Sequence, residues 1–251
     1  MPDLADVCEW MDRELRIREI PDYSGAVNGL QLENDRPVLR VAAAVDASLP
    51  VMEEAVRQDV DLLVVHHGLF WQGARPLVGG NYRKWKTAIE GGLAVYSAHL
   101  PLDVHGEWGN NILLAQAIGL QVTGSFLEWK GLPIGLLGEM ESHREDLRKR
   151  LETAVAGPVH VCPGGPEDLG LVGLCTGGAG SQIAEAAERG VRTLITGEGP
   201  HWSFPLAEEL GVNVFYAGHY ATETFGVRRL VAELGRKFSL ETQFLDHPSG
   251  L

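Results

Sequence analysis

The segment EAVRQDVDLLVVHHG, residues 54–68, lies without a gap over EAAERGVRTLITGEG, residues 185–199. Each copy begins with apolar residues at helical spacing and then runs into consecutive strand-forming apolar residues, the pattern of a helix feeding a buried strand. The constant offset pairs His67 with Glu198 and Gly68 with Gly199. A second match follows. GGLAVYSAHLPLD, ending at Asp103, lies over GVNVFYAGHYATE, ending at Glu223, so that Tyr96 meets Tyr216 and His99 meets His219. Apolar patterning alone makes any two such units look alike. The agreement of polar residues just beyond each strand is what points to a duplication. The expected fold is therefore α/β, with two similar α/β lobes facing each other and a largely parallel sheet in each.

Outward from these copies the chain alternates in the same way. Leu4, Val7, Cys8, Met11 and Leu15 recur at helical spacing behind Asp3, a residue suited to an N-cap. Residues 39–45 read as a buried strand, with Asp46 and Ser48 as turn or cap residues and a short helix to Gln58. Residues 62–65 run directly into His66 and His67, and residues 93–96 into His99, so polar side chains stand at strand ends, where α/β sheets place their ligands. Further strands are expected at 132–137, 159–162 and 171–175. A helix is expected from Ser142, with Glu145 at the capping-box position and Gly157 and Pro158 as its stop. The division falls into 1–125, carrying the HH and HLPLD segments, and 126–251, carrying GEGPHW and GHYATE.

With 251 residues and 45% hydrophobic content, the chain has enough apolar surface for a real core. The net charge of −13 disfavours general nucleic-acid binding on any surface without a basic patch. Cys8, Cys162 and Cys175 are odd in number, widely spaced and set among apolar neighbours, which reads as buried thiols in a reducing compartment. The first residues are acidic at Asp3, Asp6, Glu9 and Asp12, and no apolar run approaches the roughly 18 residues that span a bilayer. A cytoplasmic protein without a membrane partner is expected.

His66 and His67 follow four apolar residues, and adjacent side chains on an extended backbone diverge, which suits two neighbouring metals better than one. In GHYATE, a helical turn would point His219 and Glu223 the same way, leaving the carboxylate oxygens of Glu223 to bridge two ions. Asp103 adds a third oxygen-bearing site at a strand end. Together, His66, His67, His219, Asp103 and Glu223 form a mixed nitrogen and oxygen set suited to Zn, Fe, Mn, Ni or Co. Two ions roughly 3.5–4 Å apart can generate and position hydroxide at neutral pH. Taken singly, each piece has a plainer alternative: a satisfied histidine pair, and a glutamate favoured at a helix N-terminus. Asp46 and Glu198 fit either imidazole partners or exposed strand-end acids. TGGAGS, residues 176–181, fits a close-turn glycine cluster or a loop that holds phosphate.

VVHHGLFW, SAHLPLDVHGEWGNN, TGEGPHW and AGHYATETFG, in that order and with the earlier AVNGLQLEN, resemble the NIF-three-like dinuclear-metal family, also known as GTP cyclohydrolase I type 2. The likeness runs from Asn28 to Val231. It implies two divalent transition-metal ions per chain, held by His66, His67, Asp103, His219 and Glu223, with the two lobes arranged around that dinuclear metal site. It also implies a ring-shaped homohexamer. The interval between Leu120 and Leu171 is too short for the inserted middle domain that some members carry. The implied activity is hydrolysis of a small anionic substrate, GTP or another phosphorylated nucleotide, by opening of the imidazole ring; the resemblance gives no role to His99 or His201, and either is a candidate catalytic proton carrier in such a reaction. A phosphoesterase, or a non-catalytic metal-dependent interaction or metal-homeostasis protein forming a ring, is the alternative. Two positions depart from the family pattern: Trp202 stands where many members have histidine, and Gly68 where many have proline.

Overall fold

The computed structural model describes residues 2–251. In chain order it contains α1 (Leu4–Glu14), β1 (Gly29–Leu32), β2 (Arg40–Asp46), α2 (Leu49–Arg57), β3 (Leu62–His67), α3 (Gly79–Gly91), β4 (Ala94–Ser97) and the single turn α4 (Leu100–Asp103). There follow α5 (Asn110–Ile118), β5 (Gln121–Trp129), β6 (Leu132–Glu139), α6 (Arg144–Val155), β7 (His160–Pro163), β8 (Val172–Cys175), a 3₁₀ turn (Ala179–Gln182), α7 (Ile183–Glu188) and β9 (Thr193–Thr196). The chain ends with α8 (Ser203–Leu210), β10 (Asn213–Tyr216), the turn α9 (His219–Thr222), α10 (Thr224–Phe238) and β11 (Glu241–Phe244).

Two compact units result. One comprises Met1–Leu102 with Gly226–His247, the other Asp103–Phe225 with Pro248–Leu251. The division expected at residue 125 thus falls at Leu102/Asp103, and the chain's last helix and strand return to the first unit. The reason is visible in the pairing: β11 adds in parallel to β2, with Thr242 opposite Val41 and Phe244 opposite Ala43. Val227, Leu230 and Leu234 on α10 are fully buried, and burying each such side chain contributes about 1.5–3 kcal/mol.

The first unit's sheet has the order β1-β4-β3-β2-β11. Its β2, β3, β4 and β11 run parallel and only β1 is antiparallel. Val41 to Ala44 and Leu62 to Val65 are almost completely inaccessible, as continuous apolar strands covered on both faces must be. α2 covers them with Val51, Met52 and Ala55. Its start is fixed by Ser48, whose hydroxyl accepts from the Val51 N–H at 3.4 Å, with Pro50 in the first turn.

The second sheet, β5-β6-β8-β9-β10-β7, is mixed rather than largely parallel. Only β8, β9 and β10 are parallel. β5 and β6 form an antiparallel hairpin, β6 lies antiparallel to β8, and β7 antiparallel to β10. The hairpin follows from Lys130 and Gly131, both at positive φ (51° and 80°), the geometry of a two-residue turn whose twist matches its strands. Leu114, Leu147, Leu151, Leu174 and Phe215 belong to one apolar cluster of this unit, and Ile183, Leu194, Val212 and Val214 to the other.

The repeat holds at the level of register. Val41 lies opposite Leu62 and Ala44 opposite Val65 in the first unit. Their counterparts at the same sequence offset, Val172 with Thr193 and Cys175 with Thr196, are paired in the second. One local expectation fails. α6 starts at Arg144 with His143 as an uncapped N-cap, not at Ser142. His143 is extended and bridged to Asp168, which holds it out of the helix, and Glu145 pairs with Arg148 instead of closing a capping box.

Candidate metal centre

Strand β3 carries its own last two residues, His66 and His67, into buried positions. Parallel pairing sets His67 opposite Asp46 at the end of β2, and the His67 Nδ1 lies 2.9 Å from Asp46 Oδ1. The Nδ1 of His66 lies 2.9 Å from the Ala98 carbonyl oxygen. A carbonyl only accepts, so Nδ1 donates and the lone pair of that imidazole sits on Nε2. His99, two residues beyond β4, is held twice. Its backbone N–H donates to Asn28 Oδ1 at 2.8 Å, and its Nδ1 contacts both oxygens of Asp22 at 2.9 and 3.1 Å. Burial pushes the Asp22 carboxyl up, but the hydrogen bond and charge of His99, with the Asn28 amide, outweigh it and hold Asp22 below the usual carboxylate range. His66, His67 and His99 each offer a ring nitrogen within 4.8 Å of the others. Trp71 packs beside them, its ring centroid 4.2 Å from that of His67 and 4.6 Å from that of His99.

In the second unit the end of β10 passes through Gly218, whose φ of 89° lets the chain turn abruptly into α9. His219 Nδ1 then lies 3.0 Å from Glu198 Oε1, and its Nε2 lies 3.1 Å from Glu223 Oε1. Burial alone would lower the His219 pKa, yet the hydrogen bond and charge of Glu223, followed by those of Glu198, raise it to about 9. The spacing also suits a cation. Two donors each about 2.1 Å from one ion, at angles between octahedral and tetrahedral, are roughly 3.0–3.4 Å apart. Asp103 is buried, and its Oδ1 accepts from Asn110 Nδ2 at 2.7 Å.

Residues 176–181 form a close turn beside this cluster. The N–H groups of Thr176, Gly177, Ala179 and Gly180 already donate to Asn111 Oδ1, Thr222 Oγ1, Thr196 Oγ1 and the Glu198 carbonyl. Gly177 has φ +69°, and a Cβ there would collide with Glu223 Oε1. Glycine therefore suits this left-handed backbone position beside the carboxylate.

Of the residues singled out in the sequence, His66, His67 and His99 come together in one unit, and His219 and Glu223 in the other, with Asp46 and Glu198 behind His67 and His219 as imidazole partners. His201 is exposed on the turn before α8, as is its neighbour Trp202. Sequence reasoning missed Asp22 and Trp71. Asn28, inside AVNGLQLEN, was the nearest available signal, and the structure shows that it fixes the His99 backbone.

Buried histidines at the ends of parallel strands, each braced through Nδ1 by an acceptor, place the molecule among α/β proteins with the donor chemistry of a metal site. The chain belongs to the Duf34/NIF3 (NGG1p interacting factor 3) family, whose sequence profile matches residues 2–249. It is 41% identical over 248 residues to the Deinococcus radiodurans protein named GTP cyclohydrolase 1 type 2 homolog, covering 98% of this chain and 94% of that one. Among solved structures, TTHA1606 from Thermus thermophilus is 38% identical with a TM-score of 0.87, over 99% of this chain and 100% of that one. The protein ybgI, described as of unknown function, is 35% identical with a TM-score of 0.92, each chain being covered completely.

Proposed function

We propose that this chain is a metal-dependent hydrolase of the GTP cyclohydrolase 1 type 2 kind. In this reading His66, His67, Asp103, His219 and Glu223 hold two divalent transition-metal ions of Zn, Fe, Mn, Ni or Co. The observation that carries the reading is the His219 Nε2 to Glu223 Oε1 separation of 3.1 Å, the spacing of two donors on one ion. The braced Nδ1 atoms of His66 and His67 support it. The name borne by the Deinococcus radiodurans relative supports the substrate.

Two such ions, when bound, lower the pKa of water and polarise an anionic substrate. The protein's own residues supply the rest. Asp46 and Glu198 orient imidazoles and offset the charge of the ions. Trp71 keeps water off one side of His67. With such ions bound, an anionic nucleotide would be held locally in spite of the −13 net charge. On GTP, water adds at C8, the imidazole ring opens to a formamide, and a second hydrolysis releases formate. The proton given up by water passes to the departing ring nitrogen, with His201 exchanging protons with solvent.

The test is formate release from GTP by chain reloaded with Mn, Fe or Zn. The account predicts release, abolished by His67→Ala and by Asp103→Ala. If loaded protein releases neither formate from GTP nor phosphate from simple esters, while the ligand variants lose their assembly, the non-catalytic ring is the correct reading. A homohexamer belongs to the proposal and is checked by light scattering. So does a cytoplasmic location, supported by three cysteines kept as buried thiols. No helix among the described residues is long and apolar enough to cross a membrane.

A further inference from the structure

His99 is seated in the manner of His66 and His67, not in that of a packing histidine. Each of the three imidazoles has Nδ1 against an acceptor: the Ala98 carbonyl for His66, Asp46 for His67 and Asp22 for His99. Metal-bound histidines are held in this way, because the second nitrogen's hydrogen bond fixes both the ring and the tautomer. The support behind His99 is more elaborate than packing needs. Asp22, whose side chain is 7% exposed, also accepts from the Asn28 amide at 2.8 Å and from the Leu100 N–H at 3.0 Å. Asn28 in turn accepts from the His99 N–H. One loop therefore fixes both the backbone and the ring.

A proton carrier can be braced by a carboxylate just as well, so bracing does not distinguish the two roles. Convergence does. Ring nitrogens of His66, His67 and His99 gather within 4.8 Å, and with each Nδ1 engaged by an acceptor the three lone pairs fall on Nε2. Three ring nitrogens gathered in this way are placed as donors to a divalent-metal centre. The carboxylates of Asp46 and Asp22 behind two of the rings offset its charge.

We propose that His99 is a metal donor, so that residues His66, His67 and His99 form a three-imidazole set in the first unit, and that Asp22 is the positioning residue for His99. This role replaces the proton transfer expected of His99. The inference rests on the metal-binding part of the reading above and is independent of turnover.

The test uses the full chain loaded with Co(II), whose paramagnetism shifts the Nδ1–H proton signals of coordinated histidines far outside the normal NMR range. One exchangeable shifted signal is expected for each of His66, His67, His99 and His219. His99→Gln should remove the His99 signal alone. Asp22→Asn should keep that signal but weaken Co(II) binding roughly 10–100-fold in chelator competition, and His99→Ala should weaken it further. Glutamine preserves much of the volume, so circular dichroism of His99→Gln separates loss of the donor from loss of the fold. An unchanged set of shifted signals and unchanged affinity in folded His99→Gln overturns the inference while leaving the ligand set proposed above intact. Absence of Co(II) uptake by the unaltered chain overturns both.

Discussion

Glu198 Oε1 lies 3.0 Å from His219 Nδ1, and Glu198 occupies the repeat position that His67 fills in the first unit. One position has thus diverged into an imidazole in one copy and a carboxylate that orients an imidazole in the other. Asp46 does for His67 what Glu198 does for His219. Glu198→Gln and Asp46→Asn should each retain the fold and weaken metal binding roughly 10–100-fold. Competition with a chromogenic chelator measures this, and unaltered affinity in both variants would assign the two acids to the surface alone.

Gly177 lies against the Glu223 carboxylate. Its positive φ and the collision awaiting a Cβ predict that Gly177→Ala moves the carboxylate and costs about 1–3 kcal/mol of stability. Thermal unfolding should report the loss and metal analysis a depleted site. A variant with wild-type melting and metal content would show that Glu223 is placed by other contacts.

The thiols give a prediction in pH. Burial, reinforced by Asp12, pushes Cys8 up to about 12, and burial, reinforced by Asp103 and Glu223, pushes Cys175 up to about 12. Burial also raises Cys162. A raised pKa suppresses the reactive thiolate, leaving Cys8 and Cys175 with a fraction of about 10⁻⁴ at pH 8. A disulfide reagent at pH 8 should find the three cysteines unreactive in native protein and all of them reactive after unfolding. Rapid labelling of native Cys8 or Cys175 would contradict their placement in the core.

Much of the candidate site was legible because its residues interrupt strong patterns. His66 and His67 end an apolar run, and His219 and Glu223 sit four apart beyond another, so a polar residue there has no packing explanation. The repeat was legible for the same reason, and its offset is kept in the pairing of β2 with β3 and of β8 with β9. Asp22 was not legible: it reaches His99 across 77 positions from an irregular loop that carries no periodicity. β5 escaped as well, since its first five residues are exposed and show no buried face until Phe126 and Leu127. The return of β11 to the first sheet depends on a parallel partner some two hundred residues earlier, which no local signal encodes.

The proposed centre depends most on Glu223, the carboxylate assigned to both ions. Metal analysis of the reloaded chain beside Glu223→Ala tests it directly. The account predicts close to two transition-metal ions per chain in the unaltered protein and the loss of both in the variant. A single tightly bound ion, retained in Glu223→Ala, would contradict it.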